Sequence, residues 1–322
     1  MSEDARTAHK RKADLKDFII EEIERTGFTL ERYTANLLTK KGWDVYPSAH
    51  FHDRDLNKDR ELDIYAQKEL YLFDGALVLK FELLIECKKI PGNAWIFFPG
   101  PVQRGIKFLL GPNMYTILNG LDLTFDGPIP LEFLFSNHSR GFFSSGYSEV
   151  ILDEKLSNKN SNNIFQALTK IIKAASEQKE MYLNSIAGEI EDLKGGNVLQ
   201  WVGEGSPMTI TYVFPIVVFQ GKMFSAKFPL NRENLNETGL VNYYGEYMSA
   251  NYTKHSDIDV VEKQYLETYL QELSDDIRAI RKAAIKDDKA VMKRISEIII
   301  ENVKSSRKST EHSKESQQRD TN

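Results

Sequence analysis

The segment from Glu61 to Lys88 constrains the fold of this chain more than any other, because its pattern predicts one β-hairpin with a defined register. Asp74-Gly75 at its centre is the strongest short-range hairpin signal that a sequence offers. With these two residues as the loop, the numbers of opposed residues sum to 149. One face then carries eleven apolar residues out of twelve: Leu62, Ile64, Ala66, Lys68, Leu70 and Leu72, opposite Cys87, Ile85, Leu83, Phe81, Leu79 and Leu77. A slip by one residue would move this whole set to the other face, so the register is strongly specified.

The opposite face of the same hairpin gathers charged residues at its open end. In the predicted register Asp63 lies directly across from Glu86, with Cβ atoms about 5 Å apart. Lys88 follows two residues after Glu86 on the same face, about 7 Å further along the strand. Two carboxylates at this spacing repel each other unless a cation lies between them. Mg²⁺ suits that position, since it prefers oxygen ligands and usually takes only one or two carboxylates, and Mn²⁺ is a chemically similar substitute.

A second interpretation of these charges is a cross-strand ladder on a surface, with Lys88 paired to Glu61 or Glu86. The apolar run Leu83-Leu84-Ile85 leads directly into Glu86, however, and therefore places the charges at the end of a buried strand. This position favours a functional cluster over a surface ladder.

The order of these residues resembles that of the PD-(D/E)XK nuclease superfamily, which has the restriction-endonuclease-like fold. The family pattern is a helix with an acidic residue, a strand, and then a hairpin that bears Asp and Glu-x-Lys. Asp63 matches the Asp of the hairpin, Glu86-Cys87-Lys88 matches Glu-x-Lys, and Glu31 matches the acidic residue of the helix. Leu62 stands where the pattern has proline, a departure that many members share. The resemblance covers about residues 27–120.

This resemblance implies Mg²⁺-dependent hydrolysis of phosphodiester bonds in DNA, in a role related to restriction or defence. Asp63 and Glu86 would hold the metal, while Lys88 would position the attacking water or the scissile phosphate. Glu31 would assist by binding a metal-bound water. The alternative is a non-cleaving module of the same type that binds nucleic acid or a protein partner, and the complete set of Asp, Glu and Lys argues against it.

The composition limits where a nucleic-acid site can lie. Lys and Arg number 42 against 47 Asp and Glu, so the net charge is −5 and any basic patch must be local. A single cysteine excludes an internal disulfide and is typical of a cytoplasmic protein. The sequence contains neither a membrane-spanning run nor a secretory signal, so we expect no membrane association. A homodimer or a complex with a partner protein is compatible with this composition.

Periodicity and turn signals predict the order of elements along the rest of the chain. Helices are predicted at 15–25, 29–41, 102–110, 162–193, 258–286 and 288–303, and strands at 43–47, 114–118, 131–135 and 149–152. A second hairpin is predicted from 209–219 to 222–228, with its turn at Gln220-Gly221, and loops at 50–60 and 91–100. His50 and His52 in the first loop are a minor candidate for zinc. Trp95, Phe97 and Phe98 in the second loop are interpreted as packing residues rather than base-stacking residues.

These elements together predict an α/β fold. Its centre is a restriction-endonuclease-like core, a mixed sheet flanked by helices, followed by an α+β C-terminal elaboration. The predicted segments are a basic N-terminal arm and helix (1–26), the nuclease-like core (27–160), a helical and hairpin elaboration (161–304) and a disordered tail (305–322). The tail is predicted to be disordered because it lacks apolar residues that could join a core.

Overall fold

A mixed β-sheet of ten strands runs through the structure, which is a computed structural model. The structure describes residues 15–100, 115–118, 121–122, 142–152, 162–193 and 208–286, with single positions at 289, 293 and 297. The strands are β1 (Asp44–Asp53), β2 (Lys58–Leu72), β3 (Leu77–Pro99), β4 (Tyr115–Leu118), β5 (Leu121–Asp122), β6 (Phe142–Ile151), β7 (Met208–Ala226), β8 (Leu235–Glu237), β9 (Leu240–Met248) and β10 (Thr253–Glu262). Four helices are described: α1 (residues 15–25), α2 (Phe28–Lys40), α3 (Asn163–Leu193) and α4 (Leu266–Lys286). The strand order is β1-β2-β3-β6-β9-β10-β7-β4-β5, with β8 on β7 and a further pairing of β3 with β7. The predicted α/β class, with a mixed sheet flanked by helices, is confirmed.

The predicted hairpin forms with the predicted register from residue 64 to residue 85. The two pairs predicted at its open end, Leu62 with Cys87 and Asp63 with Glu86, are not formed: Leu62 packs with Leu84 on one face, whereas Cys87 packs on the opposite face. β2 and β3 pair antiparallel from Ile64↔Ile85 to Leu72↔Leu77, and every pair sums to 149. The connection is longer than predicted, because a 3-10 turn occupies Phe73–Gly75 and Leu72↔Leu77 is the last pair. Phe73, Asp74 and Gly75 all have positive φ, which only glycine adopts without cost. The register is unchanged because the longer connection has the same centre.

Helices cover both faces of the sheet, so its central strands are buried on both sides. One core contains α2 and α4 residues packed on the face predicted to be apolar, which includes Ile64, Leu83 and Ile85. The other contains α3 residues packed on the face that carries Leu84, together with Trp95 and Phe97. Glu82 and Glu86 are also fully buried on this second face. The charged face of the hairpin therefore lies under a helix.

Several predicted boundaries near the hairpin are wrong. β1 continues to Asp53, so residues 50–53, predicted to begin a polar loop, are strand residues paired with residues 58–61 of β2. The predicted loop at 91–100 is also strand, because β3 continues to Pro99 and pairs with β6. Trp95 and Phe97 are fully buried, which confirms their interpretation as packing residues.

The second predicted hairpin is wrong, because residues 208–226 form one continuous strand. β7 lies parallel to β3 from Leu77↔Met208 to Lys89↔Gln220, and pairing resumes at Ala94↔Lys222 after an irregularity. Gly221 lies at this irregularity. A Cβ atom there would lie 2.2 Å from the Phe219 ring and 2.9 Å from the Ile90 carbonyl oxygen. Glycine is therefore required for close approach of two strands rather than for a turn.

Substitution of Gly221 by alanine is expected to destabilise the protein by about 1–3 kcal/mol, the usual cost of overpacking a core. The Phe219 ring has little freedom to move aside, because it is fully buried and stacked on Trp95 with ring centroids 3.9 Å apart. Gly146→Ala in β6 is the matched control, since its Cβ would meet Phe98 at an ordinary 3.7 Å. Thermal unfolding of both variants measures the difference. An equal Tm for the two variants would contradict the close approach.

The predicted helix at 258–286 begins later than expected. Residues 258–262 belong to β10, where Ile258, Val260 and Val261 are fully buried, and α4 begins at Leu266. These residues are strand because β10 has partners on both sides, antiparallel β9 and parallel β7. Helices α1, α2 and α3 and strand β4 lie within about one residue of their predictions, and the strand predicted at 149–152 is the end of β6.

Some predictions fall outside the described residues: the helix at 102–110, the strand at 131–135, most of the helix at 288–303, the first 14 residues of the arm and the tail at 305–322.

The predicted nuclease-like core (27–160) and the predicted elaboration (161–304) share one sheet, since β3 belongs to the first segment and β7 to the second. Among the helices that the structure describes, none has the length and hydropathy needed to span a membrane.

Candidate active site

The charged end of the hairpin brings Asp63, Glu86 and Lys88 together. Lys88 Nζ lies 2.6 Å from Glu86 Oε1, and the Glu86 side chain is fully buried. The Cys87 backbone N–H donates to Asp63 Oδ2 over 2.7 Å. This bond orients the Asp63 carboxylate toward the strand that carries Glu86, immediately beyond the last β2–β3 pair at Ile64↔Ile85.

A lysine that the sequence analysis did not select completes the cluster. Lys170 belongs to α3, 107 residues after Asp63, and its Nζ donates to Asp63 Oδ1 over 3.1 Å. The same ammonium forms an ion pair with Glu86 Oε2. One cation therefore bridges the two carboxylates that were predicted to share a metal ion.

The surroundings of Glu86 disfavour its negative charge, although two lysines lie beside it. Burial raises the pKa of Glu86, and the negative charge of Asp63 raises it further, while Lys170 and Lys88 lower it to a smaller extent. Within the described residues, neither Glu86 oxygen is matched by a well-aligned hydrogen-bond donor, although both ammonium groups lie at ion-pair distance. Burial alone would lower the pKa of Lys170, but Glu86 and Asp63 raise it, so this lysine stays protonated. The pKa of Glu86 therefore stays above its ordinary value even with two ammonium groups beside it.

Glu31 lies at the edge of this cluster, in the first turn of α2. Burial raises the pKa of Glu31, and the charges of Asp63, Glu61 and Glu86 add to the effect. One turn later, the buried Thr34 approaches Cys87 Sγ at 3.9 Å, which holds this part of α2 against β3. All four residues selected from the sequence thus act on one electrostatic centre.

The donors at this centre fit a small divalent cation. Asp63 and Glu86 supply carboxylate oxygens that already converge on one ammonium group. Within the parts of the chain that the structure describes, no group of three or more His, Cys, Asp and Glu side chains is arranged to hold a metal ion. Mg²⁺ does not require such a group, since it commonly uses one or two carboxylates and completes its shell with water and phosphate oxygens.

Two further buried polar clusters join α3 to the sheet. Glu82 accepts hydrogen bonds from Tyr65 over 2.6 Å and Gln178 over 2.9 Å, and from Tyr182. Lys173 lies 2.9 Å from Asp53 Oδ1 and 2.8 Å from Asp55 Oδ2. Their polar groups find partners within each cluster, and we assign both a structural role: they hold α3, and with it Lys170, in place over the hairpin.

The sequence around Lys170 contains a pattern that points to a buried lysine. Lys170 and Lys173 interrupt an otherwise buried apolar stretch of α3 that includes Ile171, Ile172 and Ala174. A lysine among buried residues requires an acidic partner. The pattern could have indicated buried carboxylates beneath the helix, although it could not have identified them.

The other candidates do not join this centre. His52 Nδ1 lies 3.0 Å from Asp59 Oδ1 on an exposed part of β1 and β2, and His50 is exposed. A cavity of about 570 Å³ lies beside α1, and its lining residues are Glu21, Glu24, Arg25 and Lys89. Its lining includes none of the charges clustered around Glu86, so it is separate from the candidate site.

Comparison with protein-family models, with curated proteins and with solved structures finds no match to this chain. The assignment of the candidate site therefore rests on the geometry and chemistry of its residues.

Proposed function

We propose that this protein is a metal-dependent nuclease of the PD-(D/E)XK type, with a restriction-endonuclease-like core, and that it hydrolyses phosphodiester bonds in DNA. The observation that carries the proposal is the convergence of Asp63 and Glu86 on one cationic position, with Lys88 beside it. A surface ladder would leave these charges in solvent. Glu86 is instead fully buried, and Asp63 and Lys170 are only 14 % and 12 % exposed.

Each residue has a role that follows from its position. Asp63 and Glu86 would hold Mg²⁺, or Mn²⁺ in its place, through their carboxylate oxygens. When bound, the metal would lower the pKa of a coordinated water and stabilise negative charge on the phosphate. Lys88 is more exposed, at 26 %, than Asp63, Glu86 or Lys170, and it can donate a hydrogen bond to a water or a phosphate oxygen. Glu31, at the edge, would accept a proton or a hydrogen bond from a water at the site.

Cleavage of plasmid DNA in the presence of Mg²⁺ tests the proposal. The wild-type chain is expected to cut, and chelation of the metal by EDTA should stop cutting. Ca²⁺ is larger and less strict in its geometry, so it should support DNA binding with little cleavage. Failure to cut DNA of varied sequence and base modification with either Mg²⁺ or Mn²⁺ would reject the nuclease assignment.

Replacement of Lys88 by alanine separates metal binding from chemistry. Loss of this cation removes the ion pair with Glu86 Oε1 but leaves both carboxylates, so metal should bind at least as tightly as in the wild type. The rate of cleavage should fall by about 10²-fold or more, the effect of losing one preorganised donor. Calorimetric titration with Mn²⁺ beside the cleavage assay measures both quantities. Wild-type cleavage by this variant would remove Lys88 from the mechanism.

One observation favours a second function, a module that binds nucleic acid or a protein partner without cutting. Lys170 and Lys88 together balance the two carboxylate charges from within the protein, so the cluster is compatible with a purely structural ion network. In that case a module for nucleic acid would bind DNA equally well in Mg²⁺ and in EDTA, a module for a protein partner would not bind DNA, and neither would cut it. The same plasmid and binding assays therefore distinguish the two functions.

A further inference from the structure

We propose that Lys170 is a tethered cation that competes with the metal for the position between Asp63 and Glu86, and that metal binding releases its ammonium group toward the phosphate of the substrate. This inference deepens the proposed function and rests on its metal site. It assigns a role in the cluster to a helix far along the chain from the predicted motif.

The first step of the argument is that all four carboxylate oxygens of the pair are already engaged. Asp63 Oδ1 accepts from Lys170, and Asp63 Oδ2 accepts from the Cys87 backbone N–H. Glu86 Oε1 faces Lys88, and Glu86 Oε2 faces Lys170. Lys170 is the only one of these partners that contacts both carboxylates. A metal ion that binds both carboxylates must therefore replace the Lys170 ammonium.

The second step is the balance of charge. A divalent cation added beside a retained ammonium would bring two like-charged groups to the same pair of carboxylates, which is unfavourable in a poorly hydrated site. Lys170 loses both of its carboxylate partners once the metal takes them. Its removal from the position, rather than sharing of it, is the stable outcome.

The third step concerns where the released ammonium can go. The backbone of α3 cannot follow it, because Ala167, Ile171 and Ala174 are buried in the core on either side of Lys170. The flexible side chain can still move toward the solvent side of the cluster, where Lys88 is partly exposed. Two lysines on that side would form a site for a phosphate oxygen beside the metal. Substrate and metal thus favour the same position of Lys170.

Metal affinity provides the first test. Lys170→Met removes the competing cation and keeps an unbranched side chain of similar length. The variant is expected to bind Mn²⁺ about tenfold more tightly than the wild type in calorimetric titration, within the usual range of coupling between two ligands. The exposed Lys282→Met on α4 is the matched control and should leave the affinity unchanged. Unchanged or weaker Mn²⁺ binding by a folded Lys170 variant would overturn the proposal.

Chemical labelling provides a test in the wild-type chain, which does not depend on the folding of a variant. Acetylation of lysines by N-hydroxysuccinimidyl acetate, read by mass spectrometry, should be slow at Lys170 without metal, because its ammonium is buried and paired. Saturating Mn²⁺ should accelerate acetylation of Lys170 and leave that of Lys282 unchanged. A labelling rate of Lys170 that does not respond to Mn²⁺ would overturn the proposal.

The two proposals fail in different ways. Tighter Mn²⁺ binding by Lys170→Met together with metal-dependent labelling, in a protein that cuts no DNA, supports the competition and rejects the nuclease. DNA cleavage by a protein in which neither measurement responds as expected supports the nuclease and rejects the role of Lys170. If Mn²⁺ binds neither the wild type nor the variant, both proposals are rejected.

Discussion

Replacement of Asp63 by asparagine is expected to abolish DNA cleavage while the fold stays intact. Asparagine keeps one oxygen acceptor for the Cys87 N–H but removes the negative charge that Asp63 contributes opposite Glu86. Metal stabilisation of a phosphoryl transition state is worth several kcal/mol, so the rate should fall by about 10²-fold or more, at about 1.4 kcal/mol for each tenfold change. Mn²⁺ binding measured by calorimetry should weaken in parallel.

Asp59→Asn is the matched control, because Asp59 lies on the same strand, β2, with its side chain 74 % exposed. It should cleave at the wild-type rate. Glu31→Gln, at the edge of the cluster, should show a partial loss that lies between the two. If Asp63→Asn cuts DNA at the wild-type rate, the active site lies elsewhere. If it binds Mn²⁺ normally but does not cut, Asp63 is not a metal ligand.

Replacement of Lys173 by methionine is expected to cause a large loss of stability. Lys173 is 5 % exposed and pairs with Asp53, which is fully buried, and with Asp55. Removal of one partner from a buried ion network costs about 3–5 kcal/mol, because the remaining charges lose their compensation. The corresponding fall in Tm is roughly 4–7 °C for a protein of this size. Lys282→Met should change Tm by no more than about 1 °C, as exposed substitutions usually do.

The pH dependence of this loss follows from the two carboxylates. Burial alone would raise the pKa of Asp53, but hydrogen bonds and charge from Lys173, with a hydrogen bond from Arg60, lower it overall. The pKa of Asp55 is also lowered, with Lys173 as the leading favourable partner. A lowered pKa stabilises the folded state above the unfolded-state pKa, and this contribution disappears as pH falls through the folded-state pKa.

In Lys173→Met, therefore, the deficit relative to the wild type should be greatest near neutral pH and should shrink under acid conditions. Asp53→Asn in the Lys173→Met background should recover part of the stability, because it removes one of the uncompensated charges. Denaturant unfolding at neutral and acid pH measures both effects. A deficit that is constant with pH would show that lost packing, rather than lost charge pairing, causes the destabilisation.

The periodicity of apolar residues was sufficient to predict the β2–β3 hairpin and helices α2 and α3, because residues close in sequence decide these elements. The register of the β2–β3 hairpin follows from the alternation of apolar residues about Asp74-Gly75, and it is correct at each observed pair even though the turn is longer than predicted. Helices α2 and α3 follow from repeats of about 3.6 residues. The sequence predicts Asp63 beside Glu86 by extending that register past Ile64↔Ile85, the last observed pair, where the Cys87 N–H instead donates to Asp63.

Strand pairing between distant segments decided what periodicity could not. The Gln220-Gly221 dipeptide is typical of a turn, but it lies inside one long strand. The reason is that β7 pairs with β3, whose residues lie more than 120 positions earlier in the chain. Residues 258–262 are compatible with a helix in isolation, yet β9 and β7 provide hydrogen-bonding partners for a strand. In both places tertiary contacts override a local preference.

The candidate site is divided in the same way. The sequence by itself determined that Glu86 and Lys88 share a face, because side chains two apart in a strand do so, and it predicted Asp63 beside them. Only the tertiary structure decided that α3 covers this face, and that Lys170 from α3 lies between Asp63 and Glu86. Contacts between residues 107 positions apart depend on how a helix packs over a sheet, and packing depends on the shape and charge of both surfaces rather than on the repeat of either.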